Sequence, residues 1–75
     1  MDLNIFIEKV ASCFSENEAK LITADTEFRK LSEWNSMMAL IIISTIDEEL
    51  GQTLSADDIR SSVTVSDLYQ RITKQ

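Results

Sequence analysis

The chain contains no proline and a single glycine, Gly51, in 75 residues. Turn-rich all-β folds place glycine, proline and asparagine at each reversal, so this scarcity predicts helices joined by polar loops. Hydrophobic residues make up 44% and charged residues 27%, enough for a core and far from the composition of a disordered chain. A chain of this length is expected to form one domain, residues 1–75, that buries only roughly 60% of its unfolded surface. A deep, enclosed active site is not expected in it.

Helix boundaries are written in the capping residues. Asp2 can cap a first helix, with Leu3, Phe6, Ile7, Val10, Ala11 and Phe14 at three- and four-residue spacings on one side. Residues 17–33 are polar, a long loop for so small a domain, and long ordered loops tuck apolar side chains into the core. The Leu21-Ile22 pair and Phe28 are the expected anchors, and a short helical stretch over 16–22 would extend the first helix. Asn35 is a good N-cap and Gly51 a good stop, with fifteen residues between them. The β-branched run Ile41-Ile42-Ile43-Ser44-Thr45-Ile46 has strand-like composition, but buried strands run only about 4–8 residues, so length and bracketing predict a helix. Ser55-Ala56-Asp57-Asp58 resembles a capping box and predicts a short third helix through about Ser61. Thr64-Val65-Ser66-Asp67 repeats the device and opens a last helix with Val65, Leu68, Tyr69 and Ile72 on its inner stripe. The expected architecture is an all-α four-helix bundle with a long loop between helices 1 and 2 and a short third helix.

The residue inventory removes several function classes. Without histidine there is no Ser-His or Cys-His nucleophile and no histidine-based metal site. With Cys13 alone there is no intramolecular disulfide and no thiolate zinc cluster, and Cys13 is expected to act as a small buried or half-buried hydrophobe. Carboxylates remain, but a general acid needs a pocket that shifts its pKa, so no catalysis is expected of the chain alone. The net charge of −6 repels phosphate backbones and attracts partners with a basic docking patch, so no nucleic acid is expected among its partners. The N-terminus lacks the basic region of a secretory signal, and the longest apolar run, 37–43, is well short of the roughly 20 residues that span a bilayer. A cytoplasmic monomer without membrane insertion is expected.

The stretch Glu33-Trp34-Asn35-Ser36-Met37, followed by an apolar helix ending Ile46-Asp47-Glu48-Glu49-Leu50-Gly51, resembles the acyl carrier protein family. That family opens its second helix with Asp-Ser-Leu and closes it with an acidic run. Leu54 to Ile59 and Thr64-Val65-Ser66-Asp67-Leu68 are similar to its third helix and last-helix start, so the resemblance runs nearly the length of the chain. It is most like the stand-alone carriers that read Trp-Asp-Ser-Met and serve specialised biosynthetic pathways. Asn35 stands where the family has aspartate, which keeps the cap and removes a negative charge beside the site. Met37 stands where it has leucine, a near volume-conserving change that should pack similarly.

The resemblance implies that Ser36 carries a covalent 4′-phosphopantetheine arm donated by coenzyme A, with Asn35 and Met37 beside it, and that the arm's thiol holds an acyl group as a thioester. It also implies a phosphopantetheinyl transferase and acyl-loading and acyl-transferring enzymes of a fatty-acid or specialised pathway as partners. A phosphodiester at the first turn of a helix meets unpaired backbone N–H groups and the positive end of the helix dipole. On a helical wheel, Leu40, Ile43, Ile46 and Leu50 are expected to face the core and Met38, Ile41 and Thr45 the outside. Met38 and Ile41 would then form an exposed apolar docking patch, joined by Trp34 and by the acidic residues Asp47, Glu48 and Glu49 at the far helix end. Trp34 can equally anchor the loop. An aminoacyl, peptidyl or D-alanyl carrier is an alternative, although no glycine precedes Ser36 as peptide carriers usually have. An unmodified helical interaction module is another.

Overall fold

The computed structural model describes residues 2–73 and contains, in order, α1 (Leu3–Ala11), α2 (Glu16–Ala19), a 3-10 turn (Phe28–Lys30), α3 (Ser36–Leu50), α4 (Ala56–Ser61) and α5 (Val65–Thr73). No strand occurs among the described residues, and the predicted second, third and last helices are α3, α4 and α5.

Each helix begins where a side chain replaces a missing helical partner. The Asp2 carboxylate accepts from the Asn4 amide at 2.8 Å and opens α1. Ser15, with a β-region backbone, caps α2 through its hydroxyl, so 16–19 forms a separate helix and does not extend α1 as the sequence suggested. Asn35 Oδ1 accepts from the Met38 amide at 2.8 Å and starts α3. The capping box at α4 is complete: Ser55 Oγ accepts from the Asp58 amide at 3.1 Å, and Asp58 Oδ2 accepts from the Ser55 amide at 3.0 Å. Thr64 and Asp67 exchange the same pair of bonds at α5, at 3.1 and 3.0 Å. The far end of α3 closes on Gly51, whose φ of +64° is left-handed and therefore suited to glycine.

The core is built from every helix but α2, whose buried residue is Glu18. Phe6, Val10 and Phe14 from the first segment meet Ile42 and Ile46 of α3, Ile59 of α4, and Val65, Leu68 and Ile72 of α5. Phe6 and Tyr69 pack edge to face with ring centroids 5.5 Å apart. The long connection between α2 and α3 is anchored by Ile22 and Phe28, both buried, whereas its other expected anchor, Leu21, is 63% exposed. Leu21 and Ile22 are adjacent in a non-helical turn, so the side chain that enters the core turns its neighbour away. The connection is also pinned by backbone: the amides of Val65 and Ser66 at the head of α5 donate to the carbonyls of Thr26 and Ala24, at 3.1 and 2.8 Å. The same bonds satisfy two of the N–H groups that a helix start leaves unpaired.

Cys13 is half-buried, as expected, with its thiol 3.5 Å from Thr45 Oγ1 and 3.6 Å from the Lys9 carbonyl. Thr45 is thus turned toward the α1 end of the molecule and is half-buried, not on the outer side where the wheel had put it. No described helix is long and apolar enough to cross a membrane.

Candidate functional site

The segment leading into α3 is held by two glutamates. Glu18 is nearly buried, and its Oε1 accepts from the Ser32 hydroxyl at 3.1 Å and the Glu33 amide at 3.4 Å. Glu33 reaches back to the α2 cap, accepting from the Ser15 amide at 3.0 Å and from the Ser15 hydroxyl. These bonds, that of the Ser15 hydroxyl foremost, hold the Glu33 carboxyl below its ordinary pKa. Trp34 follows, half-buried with its ring centroid 5.3 Å from that of Phe28. The residue before the helix is therefore fixed from both sides: by carboxylate hydrogen bonds upstream and by the Asn35 cap downstream.

Ser36 is the first residue of α3 and is exposed. It lines a groove of about 410 Å³ whose walls include Trp34, Ala39, Leu40 and Ile43 on one side and Ala56 and Ile59 of α4 on the other. Ser36, Leu40 and Ile43 are spaced i, i+4 and i+7, one face of the helix. Arg29, from the 3-10 turn, and Arg60, from α4, complete the lining. Arg29 Nη2 donates to the Ser62 carbonyl at 3.0 Å, tying the loop to the end of α4, while Arg60 pairs with Asp57.

The phase of α3 differs from the wheel reading. Ile42 and Ile46 are fully buried, but Leu40 is 62% exposed. Leu40 lies about 200° around the helix from Ile42, so it cannot share the core face, and it faces the groove beside Ser36 instead. Met38, expected on the outside, is half-buried against the core, while Met37 is 63% exposed where a leucine-like packed residue was expected. Ile41 is 41% exposed, as expected of a surface position. The exposed apolar surface of α3 is therefore Met37, Leu40 and Ile41. Trp34 packs on Phe28, as expected of a loop anchor, and also walls the groove.

The acidic end of α3 is partly engaged within the molecule. Glu49 accepts from Lys9 of α1 at 3.0 Å, and Glu48 accepts from the Ser44 hydroxyl one turn earlier at 3.0 Å; Asp47 is exposed. Lys9 supplies the cation that the negative end of the α3 dipole favours and that α3 itself lacks. The two arginines of the groove could not be read from the sequence as site residues, because elements far apart in the chain bring them together. Among the described residues no cluster of side chains is suited to hold a metal ion.

A family model described as "Phosphopantetheine attachment site" matches residues 7–72. No curated protein and no solved structure shows significant similarity to the chain.

Proposed function

The chain belongs to the phosphopantetheine attachment site family, and from that membership we propose that it is an acyl carrier protein whose arm is attached at Ser36. The observation that carries the assignment is the position of Ser36: exposed, first in a capped helix, and opening onto an apolar groove. The residues fit the group. An exposed hydroxyl at a helix start can take a phosphodiester toward solvent, and the groove offers apolar wall to what the arm carries. When attached, the arm supplies the thiol that holds the cargo as a thioester.

The chain's own residues position the attachment serine and perform no bond chemistry. Asn35 fixes the start of α3 through the Met38 amide, Trp34 and Phe28 lock the approach to it, and Glu33 and Glu18 hold the segment before that. Loading is the work of a phosphopantetheinyl transferase, with Ser36 Oγ displacing adenosine 3′,5′-bisphosphate from coenzyme A and giving its proton to a base on the transferase. Delivery follows from tethering, which presents one cargo to successive acyl-loading and acyl-transferring enzymes at high effective concentration. The apolar walls of Ala39, Leu40, Ile43 and Ile59 favour an acyl cargo over an aminoacyl or peptidyl one, in a fatty-acid or specialised pathway. The exposed Met37, Leu40 and Ile41, near the acidic Asp47 and Glu48, are the docking surface for these enzymes.

The deciding experiment is the intact mass of the protein after incubation with coenzyme A, magnesium and a promiscuous phosphopantetheinyl transferase. A gain of one phosphopantetheine in the wild type and none in Ser36→Ala is expected. No gain with any of several transferases would refute the assignment and leave an unmodified interaction module.

A further inference from the structure

The groove beside Ser36 has a property that the carrier reading does not use: cations border its apolar walls and no carboxylate lines it among the described residues. The chain has thirteen acidic and seven basic residues, so two arginines converging on the one groove that contains the attachment serine run against its overall charge. They come from separate elements, Arg29 from the 3-10 turn and Arg60 from α4. Arg29 is held in place by its 3.0 Å bond to the Ser62 carbonyl, which uses one arm of the guanidinium and leaves other N–H groups to donate. Among the described residues Arg60 is engaged only by Asp57 on its own helix, in an exposed pair of the kind that is weak in water and readily exchanged.

We propose that Arg29 and Arg60 form an anion clamp at the groove, holding an oxyanion carried by the arm while the apolar walls cover the chain attached to it. The proposal rests on the assignment of Ser36 as the attachment residue. The oxyanion has two possible sources, the phosphodiester at Ser36 itself and a carboxylate at the far end of a cargo. Both present paired oxygens to which a guanidinium fork donates; the cargo carboxylate ends an apolar chain, and the phosphodiester leads into the arm that carries that chain. The arm is then laid along the cleft between α3 and α4 instead of sweeping through solvent. A docking enzyme releases it by offering a competing surface.

The first test needs no attached arm. Unmodified protein is titrated with octyl phosphate, and with octanol as its uncharged counterpart, while the amide resonances of Ala39, Leu40 and Ile43 are followed by nuclear magnetic resonance. Octyl phosphate is expected to saturate these shifts at concentrations where octanol does not. The double substitution Arg29→Gln/Arg60→Gln should weaken its binding about tenfold at low salt. Arg60→Gln alone, which leaves the Arg29–Ser62 contact intact, should weaken it about threefold, and Asp57→Asn, which frees Arg60, should tighten it. Equal binding of the two probes, or unchanged affinity in both arginine variants, overturns the clamp. Because this arm uses unmodified protein, its failure is distinct from a failure of Ser36 to be modified.

The second test separates the two anions. Protein carrying an octanoyl thioester, or the eight-carbon dicarboxylic monothioester, is exposed to hydroxylamine and the loss of thioester is timed. If the phosphodiester is held, Arg29→Gln/Arg60→Gln speeds cleavage of both cargoes alike. If the cargo carboxylate is held, it speeds only the dicarboxylic one. Unchanged rates for both cargoes overturn the clamp in the loaded protein.

Discussion

Two serines bracket α4, and replacing each with alanine is expected to move stability in opposite directions. Ser55 is the N-cap, exchanging hydrogen bonds of 3.1 and 3.0 Å with Asp58. Its loss leaves the Asp58 amide without a side-chain partner, a change that costs about 1 kcal/mol. Ser62 follows the last turn of the helix, is fully buried, and its Oγ has no hydrogen-bond partner among the described residues. A hydroxyl buried in that condition has given up water for nothing, at about 1–3 kcal/mol. Alanine removes that penalty and leaves a void of roughly 15 Å³, which takes back about 0.4 kcal/mol. Taking the low end, Ser62→Ala should stabilise by about 0.6 kcal/mol, so the two variants stand about 1.6 kcal/mol apart. A 75-residue domain holds only about 4–11 kcal/mol in total, so the gap is large. In thermal melts it corresponds to about 3 °C up for Ser62→Ala and about 5 °C down for Ser55→Ala. Urea unfolding followed by circular dichroism should show shifted midpoints with unchanged slopes. If Ser62→Ala instead lost about 1 kcal/mol, the hydroxyl would have to be bonded in the native state, and the reasoning from its burial would be wrong.

Acid should weaken the fold through two carboxylates. Glu33 is held below its ordinary pKa by the Ser15 hydroxyl and amide, and Asp67 by the amides of Thr64 and Val63. A depressed carboxylate stabilises the fold above its ordinary range and loses that contribution as pH falls through it. Urea midpoints measured from about pH 7 to about pH 3 should therefore fall less steeply in Glu33→Gln and Asp67→Asn than in the wild type; equal slopes would refute the assignment. On α3, Ile41→Glu alters an exposed side chain and should change stability by less than about 0.5 kcal/mol. The same substitution should slow transfer to and from partner enzymes if this face docks them, and unchanged partner kinetics would remove Ile41 from the docking surface.

The parts of the fold legible in the sequence were those written in short-range chemistry. Asp2, Asn35, Ser55 and Thr64 each cap the helix they were expected to cap, and Gly51 ends α3. Capping needs only a side chain and an amide two or three residues away, so it is local information. The rotation of α3 was not legible for the opposite reason. Residues 37–43 are all apolar, so no polar residue marks the solvent side, and Leu40 and Ile42 compete equally for the core. The choice is made by the helices packed around α3, not by α3. Leu40, expected to face the core with Ile43, is instead exposed and lines the groove beside Ser36. Ser36 itself is marked by the resemblance of residues 33–37 and the helix after them to the acyl carrier family, not by any chemistry of its own. The arginines beside it depend on the loop and α4 folding onto the same helix, which no spacing in the chain announces.

The bonds from Thr26 and Ala24 to Val65 and Ser66 also impose an order in time. The loop that positions Ser36 takes its final hydrogen bonds from amides that are synthesised long after the serine itself. At ~5–20 residues per second, the interval between making Ser36 and making Ser66 is roughly a few seconds. Through that interval the loop before Ser36 has nothing to dock against. The start of α3 therefore gains its final support only once the head of α5 has been made and has folded back.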